Sequence, residues 1–242
     1  MASVIKKNLR HGDVVLFALL LANILLPVAS AICLQLSGHR LIMALDGSWS
    51  VLLAQPWTLL TYMFSHGSLM HLGLNMLWLY CFARIYMFAG RGRGLLVLYL
   101  GGGVAGAVAF MALNGLFADT SSVLIGSSAS IVAIAVADAV LMPDRRLSMP
   151  LFGDIKIKWI VIFVVLLFCL GLTSTNAGGN LAHLGGALWG LGYAIREKYA
   201  ATSRHRSTQH VDRIIEKAKL SGYDALTDQE KQALFRNFSS RR

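Results

Sequence analysis

The sequence predicts an all-α fold: a polytopic membrane bundle of six transmembrane helices over residues 1–199, then a small helical tail over residues 200–242. Three observations predict it. The 242 residues are 56% hydrophobic and only 14% charged, where a soluble domain carries roughly 25% charged residues. The apolar residues are gathered into long runs separated by short basic stretches, as in a chain that crosses a bilayer repeatedly. The end of the chain is polar and amphipathic instead, as in a module outside the membrane. A formal net charge of +10 would suggest nucleic acid as the partner of a soluble protein. In a chain with these runs, Lys and Arg collect in cytoplasmic connections, so the expected contact is the lipid bilayer and no nucleic acid.

The apolar runs lie near 13–36, 68–88, 94–114, 126–142, 157–174 and 180–198. The chain is too short to wrap so many helices as the core of a soluble domain. Lys6, Lys7 and Arg10 precede the first run. Arg84, Arg91 and Arg93 surround the connection from the second to the third, and Arg145, Arg146, Lys156 and Lys158 that from the fourth to the fifth. Arg196 and Lys198 open the tail. The connections Asn114–Ile125 and Leu172–Asn180 carry no Lys or Arg, and that from the first run to the second carries only Arg40. Both termini are therefore expected in the cytoplasm, with the second, fourth and sixth runs entering from outside. A basic start, an apolar run and Ala29-Ser30-Ala31 also resemble a secretory signal with its cleavage site, which leaves the direction of the second run unchanged. Cys33, Cys81 and Cys169 each sit inside an apolar run without metal-binding spacing and read as buried small hydrophobes.

In the tail, Val211, Ile214, Ile215 and Ala218 recur at helical spacing. Ser221-Gly222-Tyr223 interrupts them. Thr227-Asp228-Gln229-Glu230 then reads as a capping box opening a second helix, with Leu234, Phe235 and Phe238 on one face. The expectation is a cytoplasmic helical hairpin, or a basic segment lying on anionic lipid, with no partner identifiable.

Polar groups inside membrane spans are costly and usually functional. Three stand out: His66-x4-His71-x3-Asn75, Gly126-Ser127-Ser128-Ala129-Ser130, and Ala182-His183-x2-Gly186-x3-Gly190. All fall near the starts of inward-running spans and so share the outer half of the bilayer. His71 and Asn75, four residues apart, share a helix face. The fourth span is short; about 17 residues at ~1.5 Å each cover ~25 Å of a ~30 Å core, which sinks its start below the surface. A serine there needs a base within hydrogen-bond reach, and His183 is the candidate. Free N–H groups at the helix start, with side-chain donors from Asn75 and His71, suit a developing oxyanion. No carboxylate lies in that half, so a Ser–His dyad is expected. Gly102-x3-Gly106 and Gly186-x3-Gly190 read as close-packing seams. His66-x4-His71 lacks the spacing and Glu of a zinc helix, so no metal or other cofactor is expected.

Across Val14 to Tyr199 these groups resemble the rhomboid family of intramembrane serine proteases: H-x4-H-x3-N (His66, His71, Asn75), G-x-S-[GA] (Gly126, Ser128, Ala129) and A-H-x2-G-x3-G (Ala182, His183, Gly186, Gly190). The resemblance implies Ser128 as nucleophile and His183 as general base. It implies His71, Asn75 and the Ser128 backbone N–H as oxyanion donors. It further implies transmembrane protein substrates admitted between spans two and five, with small or helix-breaking residues near the cut. The tail resembles a module attached to some bacterial members, which implies a bacterial inner membrane; the orientation read from the Lys and Arg distribution has the site opening to the outer side. Three positions depart from the family pattern: Trp57-Thr58 stands where Trp-Arg is common, Arg84 and Tyr86 stand near a usual Glu, and Val132 replaces a Tyr that stacks on the catalytic His. The first two bear on the scaffold and the third loosens the positioning of His183. The alternative activities are a weak or inactive relative that binds client membrane helices, and a small channel or transporter. The second is disfavoured because nothing comparable to these polar groups continues into the cytoplasmic halves, where Asp138 of the fourth span can simply face the inner interface.

Overall fold

The computed structural model describes residues 2–37, 42–89, 91–117, 122–149, 153–173 and 176–239, without the side chains of 2–10, 113–117, 149, 173, 204–208 and 236–239. Arg40 lies outside the described residues, as do the side chains of Lys6, Lys7, Arg10 and Phe238. In chain order the helices are α1 (Ala2–Ser37), α2 (Trp49–Ala54), α3 (Thr58–Thr61), α4 (Leu69–Phe88), α5 (Leu95–Phe117), α6 (Ser128–Leu141), α7 (Ile157–Leu170), α8 (Ala177–Ser221) and α9 (Asp228–Ser239). The fold is all-α, and each apolar run of the sequence falls on a helix: α1, α4, α5, α6, α7 or the start of α8. By length and hydropathy, His11–Ser37 and Gly92–Ala112 can cross a bilayer, while Ser128–Leu141 and Ile157–Leu170 are shorter apolar helices. At 14 residues, α6 is shorter than expected. Its start is delayed to Ser128 because Gly126 takes the left-handed φ of +99°, which no helix can continue through.

Two short ladders add to the helices. β1 (Leu45–Asp46) pairs antiparallel with β2 (Val123–Leu124), and β3 (Arg146–Met149) pairs with β4 (Gly153–Lys156). No strand was expected from the sequence at either place. Pairing of segments this short depends on what the flanking helices bring together, not on a period-2 pattern.

The chain divides into two compact units, Met1–Ala194 and Ile195–Arg242. In the first, α6 packs on α4, α5 and α7. Small residues let the backbones close. A Cβ at Gly186 would collide with the carbonyl of Ala129, and one at Gly190 with the carbonyl of Ala133. One at Gly106 would fall 2.7 Å from the Ala129 Cβ and 2.9 Å from the Ala182 carbonyl. The α5–α6–α8 seam is thus made of near backbone contact, as small-residue spacing in apolar helices permits. Polar side chains pin the rest. Asn23 of α1 donates to the Tyr99 hydroxyl of α5 at 2.8 Å, and Tyr62 donates to the Gly103 carbonyl at 2.7 Å. Arg84 meets Asp13 at 2.8 Å, with both side chains about half exposed, so this pair adds little stability.

The positions that depart from the family pattern have local partners. Thr58 is buried and donates from its hydroxyl to the Gln55 carbonyl at 2.7 Å. Trp57 Nε1 donates to the Ile42 carbonyl at 3.0 Å. Tyr86 is buried, with its hydroxyl 3.3 Å from that of Tyr193. Two expectations need correction. Cys169 is exposed and Cys33 and Cys81 are half-buried; an apolar run in such a chain also supplies outward faces, so an apolar neighbourhood does not imply burial by protein. Asp138 is fully buried, and neither carboxyl oxygen has a hydrogen-bond partner among the described residues. It ends a run of buried α6 residues from Ala133 to Asp138, and the packing of that helix overrides the preference of a carboxylate for the interface.

In the second unit, Val211, Ile214, Leu226 and Leu234 form a small core, with Ile215 and Ala218 against it. Gly222, with φ of +85°, turns the chain after Ser221. The capping box forms: Thr227 N–H donates to Glu230 Oε2 at 2.8 Å, and Glu230 N–H donates to Thr227 Oγ1 at 3.3 Å. Lys217 reaches the same carboxylate at 2.9 Å and, with the Thr227 N–H, holds it below the ordinary Glu range. Phe235 does not share the face of Leu234: it is 75% exposed and Leu234 only 8%, because adjacent helical residues are turned ~100° apart.

Gly186→Ala should therefore overpack the seam by about 1–3 kcal/mol and lower the thermal midpoint in detergent. Gly73→Ala is the matched control: it meets nothing within 4 Å and should leave the midpoint equal or higher. Leu234→Ala should cost about 2–4 kcal/mol of the tail's local stability, read as faster tryptic cleavage within residues 195–242 of the full-length protein.

Candidate active site

Three helix starts build the site. Ser68, extended at φ −159° and ψ 163°, accepts a 3.1 Å hydrogen bond from the His71 N–H and so caps α4. That places His71 in the first turn and Asn75 one turn further on the same face. The start of α6 is held from outside the helix. The β1–β2 pairing and a 3.0 Å bond from Gly47 N–H to the Ser122 carbonyl fix the segment before it. Gly126 N–H then donates to the Tyr62 carbonyl at 3.0 Å. The first bond of the α6 ladder runs from Ile131 N–H to the Ser127 carbonyl. The N–H groups of Ser128, Ala129 and Ser130 therefore precede the ladder and stand at the positive end of the helix.

Ser128 Oγ lies 2.7 Å from His183 Nε2. With Nε2 as acceptor, the serine O–H donates, which is the geometry a general base needs. His183 Nδ1 is buried without a hydrogen-bond partner among the described residues. Asn75 is buried, and its Nδ2 donor likewise has none. Asn75, Ser128 and His183 line one cavity of about 260 Å³, whose other walls are apolar residues of α4, α6 and α7, including Trp78, Val132 and Val161. His71 closes on the backbone just before the serine. A Cβ at Gly126 would fall 2.7 Å from His71 Nε2 and 3.4 Å from Asn75 Nδ2. Glycine at 126 thus serves both the left-handed backbone and the approach of the two donors.

The expected residues come together: Ser128 with His183 directly, Asn75 in the same cavity, and His71 beside Gly126. The other polar groups are turned away. Ser130 Oγ donates to Met63 Sδ at 3.2 Å. His66 stands edge-on to His71, with ring centroids 5.2 Å apart at 68°, a position that shapes the entry to α4.

Sequence reasoning missed Phe168. Its ring lies against the His183 imidazole, centroids 4.1 Å apart and planes inclined 33°, and it lines the same cavity. A signal existed. Phe168 stands near the C-terminal end of α7, and a helix antiparallel to α6 and α8 brings that end to the level where they start. The part played by Tyr62 in anchoring Gly126 was also missed, because a main-chain carbonyl acceptor leaves no trace in residue type.

The Rhomboid domain family model matches residues 53–198, which include all of these side chains. RHOMBOID-like protein 12, mitochondrial, of Arabidopsis thaliana is 30% identical over 144 residues, covering 54% of this chain. The chain spans 43% of that relative's length. With the family match extending over more than half of a helical membrane-type bundle, the chain belongs to the rhomboid family.

Proposed function

We propose that this rhomboid is an intramembrane serine endopeptidase that cleaves transmembrane segments of other membrane proteins. In this reading both termini are cytoplasmic, in a bacterial inner membrane, and the site opens to the outer side. One observation carries the proposal: the 2.7 Å approach of Ser128 Oγ to His183 Nε2 inside a largely apolar cavity. Ser128 attacks the scissile carbonyl while Nε2 takes its proton. The carbonyl oxygen becomes an oxyanion, stabilised by Asn75 Nδ2, His71 and the Ser128 N–H. As the C–N bond breaks, His183 returns the proton to the leaving amine. Water activated by the same imidazole then releases the acyl group and restores the serine. The Asn75 donor, buried and without an acceptor among the described residues, supports its part, since such an N–H is free for an oxygen that arrives only with substrate. The substrate helix must unwind locally to expose its carbonyl, which favours small or helix-breaking residues near the cut.

A second reading is a weak or inactive relative that binds client membrane helices. It is favoured by the absence of any hydrogen-bond partner for His183 Nδ1 among the described residues.

Labelling of the purified protein by a fluorophosphonate separates the two. The protease reading requires labelling that is abolished by Ser128→Ala and by His183→Ala; undiminished cleavage of a transmembrane substrate by either variant rejects the dyad. Asn75→Ala should lower kcat by about 10²-fold or more, the usual loss for an oxyanion donor, with a smaller change in KM.

A further inference from the structure

We propose that Phe168 is the positioning residue that holds the His183 imidazole in register with Ser128; this rests on the assignment of those two residues above. Nε2 of the imidazole has its partner in Ser128 Oγ. Nδ1 has none among the described residues, so no second hydrogen bond fixes the ring about its last torsion. That torsion is intrinsically broad. A contact on the ring face can supply that restraint, and Phe168 makes one at 4.1 Å between centroids. Offset and tilted ring pairs at this separation are favourable beyond the area they bury.

Phe168 is half-buried and is not among the buried residues of the main core. Its ring lines the cavity beside Ser128 rather than filling space between helices. Its removal should therefore disturb the imidazole more than the fold. Val132, one helical turn after Ser128 on α6, lines the same cavity and offers no ring. The aromatic face on His183 comes from α7 and not from the helix that carries the nucleophile. A displacement of the C-terminal end of α7 away from His183 would withdraw the ring from the base.

The test uses the full-length protein in detergent, with fluorophosphonate labelling rate, kcat and KM on a transmembrane substrate, and thermal midpoint as readouts. Phe168→Ala should reduce labelling and kcat by about tenfold, the equivalent of ~1.4 kcal/mol, with KM and the midpoint little changed. Phe168→Tyr, which keeps the ring, should retain most of the rate, whereas Phe168→Leu should not. Adding Val132→Tyr to Phe168→Ala places a ring on the cavity from α6 and should recover part of the loss. Labelling of Phe168→Ala within about twofold of wild type, a Phe168→Leu variant as fast as wild type, or a rise in KM at unchanged kcat would each overturn the positioning role. A wild-type protein that takes no label overturns the serine-protease reading itself, a distinct result.

Discussion

The near contact of the α6 and α8 backbones is the constraint from which the rest follows. Gly186 and Gly190 of α8 lie against the carbonyls of Ala129 and Ala133 in α6. Side chains at these positions would push the helices apart by the thickness of a methyl group or more. Ser128 and His183 stand one residue before and three residues before the first of these contacts on their respective helices. Their 2.7 Å separation is thus a direct reading of how closely the two backbones can pack. α5 closes the third side through Gly102 and Gly106, so the hydrogen bond in the cavity depends on small residues that have no chemistry of their own.

A second set of restraints comes from hydrogen bonds beyond the α6–α8 seam. The strand before α6 pairs with a strand in the loop after α1, and Gly126 hangs from the Tyr62 carbonyl. Asn23 ties α1 to α5 through Tyr99. The serine therefore sits on a helix start anchored on both sides, by helix packing below and by loop hydrogen bonds above. Sites built on anchored helix ends hold their geometry better than sites carried on free loops.

Much of this was legible in the sequence because it rests on period and residue type. Apolar runs located the helices, and His71, Asn75, Ser128 and His183 stood out as polar groups where such groups are costly. Gly186-x3-Gly190 announced a seam without naming its partner. What was not legible depends on pairings that residue type does not encode. The β1–β2 pairing joins two-residue segments, too short to show alternation. The outward turn of Phe235 and the full burial of Asp138 are set by which face each helix presents, a choice made only in packing. Phe168 was hidden for another reason: an aromatic residue in an apolar run is the commonest of observations, and only its 4.1 Å approach to an imidazole sets it apart.

The Asn75 Nδ2 donor, without an acceptor among the described residues, bears on stability. A buried donor without an acceptor lowers the stability of the resting fold by about 1–3 kcal/mol, and an apolar residue of similar size would relieve that penalty. The resting protein is then not the most stable one this backbone could support. An amide at this place, beside Ser128 and His183 in a cavity whose other walls are apolar, trades resting stability for a donor that the proposed chemistry would use.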